Sequence, residues 1–434
     1  MKKAALLALT MVAAVVPAAP AAAAAPDRYS LANGCYALQS GGTTVAGPFR
    51  MQATELGRYL LYGLKRDFLS AGSDGKVAPA ADPSPSGDWR VDPAAGGFRL
   101  TLPDAGGKAL TASGSTLTMG DGSTFTFAAA DGCPVYPEVD VNATGGPSTG
   151  ATSFGEVSGL LDAHMHMMAF EFLGGRAHCG RPWHRYGAPY ALVDCPDHYP
   201  NGSGAVLENT LYGNPARTHD PVGWPTFKDW PDPHSLTHEQ SYYKWVERAW
   251  RGGLRVYVNL LVENKVLCEL YPLKQNSCDE MDAVRLQAKR IRELENYIDA
   301  QNGGPGKGWF RIVTDPFQAR RVINEGKLAV ILGIEVSEPF GCQVLNDQPQ
   351  CDAAQIDRGL DEVYNLGVRD MEIINKFDNA LAGVAGDAGT TGEIVNTGNK
   401  YLTGRYWPMR TCPSTPEDET QQRYDKTQYN LADE

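Results

Sequence analysis

The chain has 434 residues, with 51 acidic side chains against 39 basic ones and a formal charge of −12. Its Lys and Arg residues are scattered among more numerous acids, so it lacks the basic clusters that nucleic-acid binding requires, and the same balance argues against anionic membranes. Beyond the N-terminus no segment is apolar for long enough to cross a bilayer, and the length suits two or three domains.

Lys2 and Lys3 precede an apolar run from Ala4 to about Val16, and an Ala/Pro tract follows through Ala25. This is the pattern of a signal peptide over residues 1–25, which predicts a soluble, secreted, extracellular protein. Residues 26–137 read as an all-β module: from Asp27 to Pro137 short alternating runs are broken by Gly, Ser and Asp turns. Two segments, FRMQATELGRYLLYGLKRDFLSAG (Phe49–Gly72) and WRVDPAAGGFRLTLPDAGGKALTASG (Trp89–Gly114), share an aromatic start, a Gly, a hydrophobic pair and a Leu-(Ser/Thr)-Ala end. GCYALQS at Gly34 and FTFAAADGC at Phe125 look like the two ends of a third copy. Three such units predict a β-trefoil-like module with carbohydrate or cell-wall material as its ligand; a small β-sandwich is the alternative.

Residues 138–155, centred on VNATGGPSTGATS, read as a flexible linker. From 156 to 434 apolar strands alternate with amphipathic helices, the signature of a parallel α/β architecture. Four strands are predicted, at Val157–His166, Leu254–Val262, Leu328–Val336 and Val368–Asn375. Helices are predicted in YYKWVERAWRGG, over Asp282–Asp299, around Pro316–Asn324 and through Ile356–Asn365. Near-continuous apolar strands fit burial on both faces of a TIM-barrel-type sheet, of which about four βα units are present.

All nine cysteines follow the signal peptide, and in an oxidising compartment disulfides are the default. Spacing suggests Cys35–Cys133, Cys179–Cys195, Cys268–Cys278 and Cys342–Cys351, although connectivity does not follow from sequence. Cys412 is left over: free, intermolecular, or paired with a residue past the end of this sequence.

The chemistry begins at Asp162-Ala163-His164-Met165-His166, at the C-terminal end of the first strand. Residues two apart on a strand face the same way, so His164 and His166 can present two imidazoles to one metal where TIM-barrel active sites lie. Glu335 sits near the end of an otherwise uncharged strand, where a carboxylate is costly unless a metal or cation pairs with it. Lys376, followed by Asp378 and Asn379, occupies the end of the fourth strand, placed to hold a substrate carboxylate or an oxyanion, or else to sit in solvent. His178, Cys179 and His184 mimic a ligand cluster, but Cys179 is better used in a disulfide. His234 and His238, in DPHSLTHEQ, suit a helix N-terminus or a substrate pocket better than metal ligation.

The runs GLLDAHMHMMAFEFLGG, HEQSYYKWVERAWRGGLRVYVNLLVEN, GKLAVILGIEV and LGVRDMEIINKFDNALAGVAGD together resemble the membrane dipeptidases, peptidase family M19, and especially their large secreted bacterial relatives. The resemblance spans about Val157–Asp387. It implies a TIM barrel with zinc, two ions in the complete enzyme, and hydrolysis of a dipeptide or similar small amide or ester by metal-activated water. The family's His-x-Asp ligand pair falls on His164 and His166, with His in the Asp position, and its bridging glutamate falls on Glu335. Where the family has a substrate-contacting histidine after the fourth strand, this sequence has Lys376; Asp378, Asn379 and His238 join it as candidate substrate contacts. The family's two later metal-binding histidines have no counterpart, because no histidine follows His238. The reading therefore expects a chain lacking strands five to eight, inactive alone, in preference to a degenerate barrel. The competing functions are a lactonase or phosphoesterase using the same metal chemistry, and a catalytically dead extracellular binding protein.

Overall fold

The computed structural model describes residues 27–144, 156–193, 195, 198–211, 213–230, 237–386 and 389–407. The expected signal peptide, most of the linker, His234 and Cys412 lie outside the described residues.

The N-terminal module is antiparallel throughout. Its strands are β1 (Cys35–Ser40), β2 (Thr43–Glu55), β3 (Arg58–Gly63), β4 (Phe68–Ala71), β5 (Val77–Ala80), β6 (Asp88–Ala94), β7 (Gly97–Thr101), β8 (Ala109–Ser113), β9 (Thr116–Gly120) and β10 (Thr126–Ala129). They form one ten-stranded sheet in the order β10-β1-β2-β3-β6-β7-β8-β9, with β4 on β3 and β5 on β4. Tight turns set this meander: Gly41 and Gly42, at φ 58° and 78°, make the turn from β1 to β2, a backbone that side chains with a Cβ resist. The two sequence repeats fall on equivalent triplets, the end of β2 with β3 and β4, and β6 with β7 and β8. Phe98 of β7 and Phe125, just before β10, exchange both backbone hydrogen bonds at 2.8 Å, which brings the end of the module back against its middle. Leu38, Met51, Leu61, Trp89, Val91, Leu100, Leu110 and Phe125 fill the core. The Trp89 indole N–H donates to the Leu69 carbonyl at 2.7 Å.

The second unit is mixed α/β. In chain order it contains β11 (Leu160–Met165), α1 (Ala188–Ala191), α2 (Val206–Leu211), α3 (Tyr243–Arg251), β12 (Leu254–Glu263), α4 (Lys265–Leu270), α5 (Glu280–Gln301), β13 (Phe310–Val313), α6 (Pro316–Asn324) and β14 (Leu328–Val336). The small hairpin of β15 (Val344–Leu345) and β16 (Gln348–Pro349) follows, then α7 (Ala353–Asn365), β17 (Val368–Glu372) and α8 (Gly389–Thr403). Asp side chains set the helix starts by accepting backbone N–H groups: Asp279 at α5, Asp315 at α6 and Asp352 at α7.

Five strands make a parallel sheet in which β11 pairs β12 and β12 pairs β14. On its other side β14 pairs β13 along Leu328–Ile331 and β17 along Leu332–Glu335. The expected four strands are thus present, and β13 is an addition: four residues with Arg311 among them carry too little periodicity to read as a strand. The sheet is open among the described residues, with β11 at an edge where Leu160 and Leu161 are exposed. Its core joins Leu261, Leu332, Ile334 and Val336 to Val284, Ile291, Leu294 and Ile298 of α5.

The two units meet on α5. Gln301 donates to the Ala53 carbonyl and receives the Gln52 amide, Asn33 donates to the Gln301 carbonyl, and Ala300 packs into the module core. Arg185 pairs with both Asp88 and Glu55. The first linker residue, Glu138, is part-buried and accepts from the Tyr242 and Tyr243 hydroxyls at 2.6 and 2.9 Å. The four expected disulfides are all formed.

Candidate metal centre

His164 lies on β11 and His166 directly follows that strand, so the alternation of strand side chains sends both imidazoles the same way. Their Nε2 atoms are 2.9 Å apart. Glu335, on the C-terminal half of β14, brings Oε2 to 3.1 Å from His166 Nε2 and 3.4 Å from His164 Nε2. Three donor atoms from two strands therefore converge at the C-terminal ends of a parallel sheet, and separations of this size suit donors held about 2 Å from a shared zinc-sized cation. Glu335 Oε2 is buried without a hydrogen-bond partner, which fits an oxygen reserved for a cation.

Two further residues support the cluster. Glu372 stands directly opposite Glu335 in the β14–β17 register, and its Oε1 lies 2.9 Å from His164 Nδ1. A carboxylate this close favours the tautomer with its proton on Nδ1, which would leave His164 Nε2 as a lone-pair donor toward the centre, the way carboxylates orient metal-binding histidines. Asn375 donates to Glu335 Oε1 at 2.6 Å and is itself gripped by the Asn264 amide at 3.0 Å. Burial works against ionising Glu335, but the His166 and His164 imidazoles and the Asn375 amide outweigh it and hold the carboxyl below its usual range. Glu335 is accordingly an anion at neutral pH. The His164 side chain is half exposed, so the cluster is open to a small molecule from solvent. Neither Glu372 nor Asn375 stood out in the sequence; the available signal was their position at the end of the strand beside Glu335, which only strand pairing reveals.

The chain was compared with protein-family models, curated proteins and solved structures, and it matches none of them.

The other expected site residues lie in different settings. Lys376 is exposed at the tip of a three-residue turn, with φ 66°, closed by the Phe377 N–H on the Asn375 carbonyl. Asp378 and Asn379, expected to touch substrate, are instead used to build the loop. Asp378 accepts the Val384 N–H and the Trp407 indole N–H, both at 2.8 Å. Asn379 is buried; its amide donates to the Ser337 and Ile373 carbonyls, and its oxygen accepts from Leu381 and Ala382.

His238 corrects the sequence reading in the opposite direction. It neither caps a helix nor faces solvent: it is fully buried beside His198, Glu208 and His219, with its ring stacked on Trp230 at 4.7 Å. Cys179 is in its expected disulfide. The histidines that gather are His198, His219 and His238, from separate segments of the long insertion after β11, and nothing in their sequence spacing predicted it.

Proposed function

We propose that this protein is an exported metal-dependent hydrolase of the membrane dipeptidase type, acting on dipeptide-like or other small amide substrates. The observation that carries the proposal is the convergence of His164, His166 and Glu335 at the strand ends. The resemblance of the runs around these residues supports the same reading, as does the order in which they fall along the chain. A zinc ion held by these three side chains would polarise a scissile carbonyl and lower the pKa of a bound water. In that reading Glu372 fixes the orientation of His164, Asn375 fixes Glu335, and the open side of the cluster admits the substrate. Lys376, exposed on the turn that follows β17, is the candidate for holding a substrate carboxylate.

We read the parallel α/β unit as part of a TIM-barrel-type architecture and the antiparallel module as β-trefoil-like, with carbohydrate or cell-wall material as its ligand. Supporting the second reading are the equivalent repeats and the Phe98–Phe125 pairing that joins the middle of the module to its end. Four disulfides fit an extracytoplasmic location.

The test is zinc content and turnover of the full chain on dipeptides, lactones and phosphoesters, alongside His166→Ala and Glu335→Gln. Dipeptide hydrolysis lost in both variants supports the proposal. Activity confined to lactones or phosphoesters moves the protein to the sister chemistry, and zinc binding without turnover on any of them makes it a binding protein.

A further inference from the structure

A second cluster lies apart from the strand-end histidines, and the inference from it does not depend on the proposed hydrolase. We infer that the insertion between β11 and α3 contains a closed metal site in which His198, Glu208, His219 and His238 hold one zinc-class divalent ion that fastens the insertion together.

Each of the four side chains offers a ligand atom within 4.8 Å of the others, and all four residues are buried. The ring centroids form a compact triangle: His198 to His219 is 5.6 Å, His198 to His238 is 5.4 Å and His219 to His238 is 5.2 Å. Glu208 reaches toward two of them, with Oε1 3.9 Å from His219 Nε2 and Oε2 3.8 Å from His238 Nε2. His219 is the most telling residue. Its side chain is 3 % exposed, and neither ring nitrogen has a hydrogen-bond partner. An imidazole buried in that state forfeits the hydrogen bonds that water would give its two nitrogens. A metal ion on one nitrogen removes much of that cost, which a hydrophobic residue at this position would avoid altogether.

The surroundings hold the ligands in place. Glu208 receives Arg217 on Oε1 at 3.0 Å and the Thr237 hydroxyl on Oε2 at 2.5 Å. The same hydroxyl lies 3.4 Å from His198 Nε2, so one residue links two of the candidate ligands. Asn209 donates to the Gly202 and Arg217 carbonyls and so ties the loop at Gly202 to the segment that leads into His219. Gly202, at φ 74°, leaves room for the His219 ring: a Cβ there would stand 2.2 Å from Nδ1. The Cys179–Cys195 disulfide fixes the segment leading to His198, and the backbone of Cys179 pairs with Thr237 and Glu239 on either side of His238. Because that disulfide uses both sulfurs, the donor set is three nitrogens and one carboxylate.

Those donors suit zinc or a similar first-row divalent ion, and four protein ligands complete a tetrahedron without leaving a place for substrate. The role is therefore structural. Between β11 and α3 the only α-helices among the described residues are α1, of four residues, and α2, of six. A segment so poor in secondary structure gains its order from cross-links, here one disulfide and one ion.

The test uses the full chain purified without reductant, in a His164→Ala/His166→Ala background that removes the strand-end cluster. After zinc loading and dialysis this protein should retain about one ion per chain. Cobalt in its place should give the intense visible absorption of four-coordinate Co(II), and stripping the metal with a chelator should lower the melting temperature. Adding His219→Ala or Glu208→Gln should abolish retention. Should those added variants fail to fold, the metal content, cobalt spectrum and chelator response of the background protein decide the matter alone. No ion retained by the background protein, a six-coordinate cobalt spectrum, or metal content unchanged by folded His219→Ala would each overturn the inference.

Discussion

Removing the Cys35–Cys133 disulfide isolates what closure of the N-terminal module contributes. The two cysteines are 98 residues apart and lie beside the paired strands β1 and β10. The register of those strands, Tyr36 opposite Ala129 through Gln39 opposite Thr126, rests on backbone hydrogen bonds that need no covalent link. Most of the cost therefore falls on the unfolded chain, which regains the freedom that the closed loop denied it. In the chain-entropy treatment a loop of this length corresponds to about 5 kcal/mol, against about 3 kcal/mol for the 10-residue separation of Cys268 and Cys278. At about 4–8 °C per kcal/mol for a small domain, Cys35→Ser/Cys133→Ser should lower the module's melting transition by roughly 20 °C or more. Cys268→Ser/Cys278→Ser should lower stability by clearly less. Differential scanning calorimetry of the full chain, with the two transitions assigned by near-ultraviolet circular dichroism, reads both numbers. A shift below about 5 °C for the Cys35/Cys133 pair, or a larger one for Cys268/Cys278, would show that loop length does not govern these cross-links.

Asn375→Ala should weaken metal binding at the strand-end cluster by about 10–100-fold with the fold intact, because Glu335 loses the amide that orients it; competition with a chromophoric chelator measures this, and an unchanged affinity refutes the role. Burial pushes the Glu263 carboxyl up to about 7, so the folded protein keeps a proton there that the unfolded chain releases above about 4.5. Stability from this group is therefore complete below about pH 4.5 and falls by about 3 kcal/mol in all as pH rises to about 7. Glu263→Gln keeps the Oε1 acceptor used by the Leu173 and Asn264 N–H groups, so the variant should gain on the wild type in urea midpoint between pH 5 and pH 8; parallel profiles would sink the argument. Trp89→Ala empties the module core and strands the Leu69 carbonyl, with an expected loss of about 3–5 kcal/mol in urea unfolding; a loss under about 1 kcal/mol would mean that the core collapses around the gap.

Local chemistry was legible in the sequence. The start and end of α6 follow from Asp315-Pro316 and the helical pattern up to Asn324, and α5 exceeds its expected span by only two residues at each end, with Asp279 capping its start. The disulfides were readable because each lies within its own segment or closes the module end to end. His164 and His166 were readable because two-residue spacing on a strand is itself a statement about direction, and Glu335 because an acid in an apolar strand demands a reason.

What tertiary structure decided was which distant residues meet. Glu372 reaches His164 through the register of β17 on β14, and Asn375 reaches Glu335 through the turn that follows. Asp378 and Asn379 look like site residues in sequence and become loop fasteners once the Ser337 and Ile373 carbonyls and the Trp407 indole arrive beside them. His198, Glu208, His219 and His238 carry no periodic relation to one another and come together only when the insertion folds back on its disulfide. Periodicity and capping act through dihedral angles and neighbours a few residues away, so a sequence displays them. Convergence across a sheet or between loops depends on register and chain closure, which are set by the burial of the whole core.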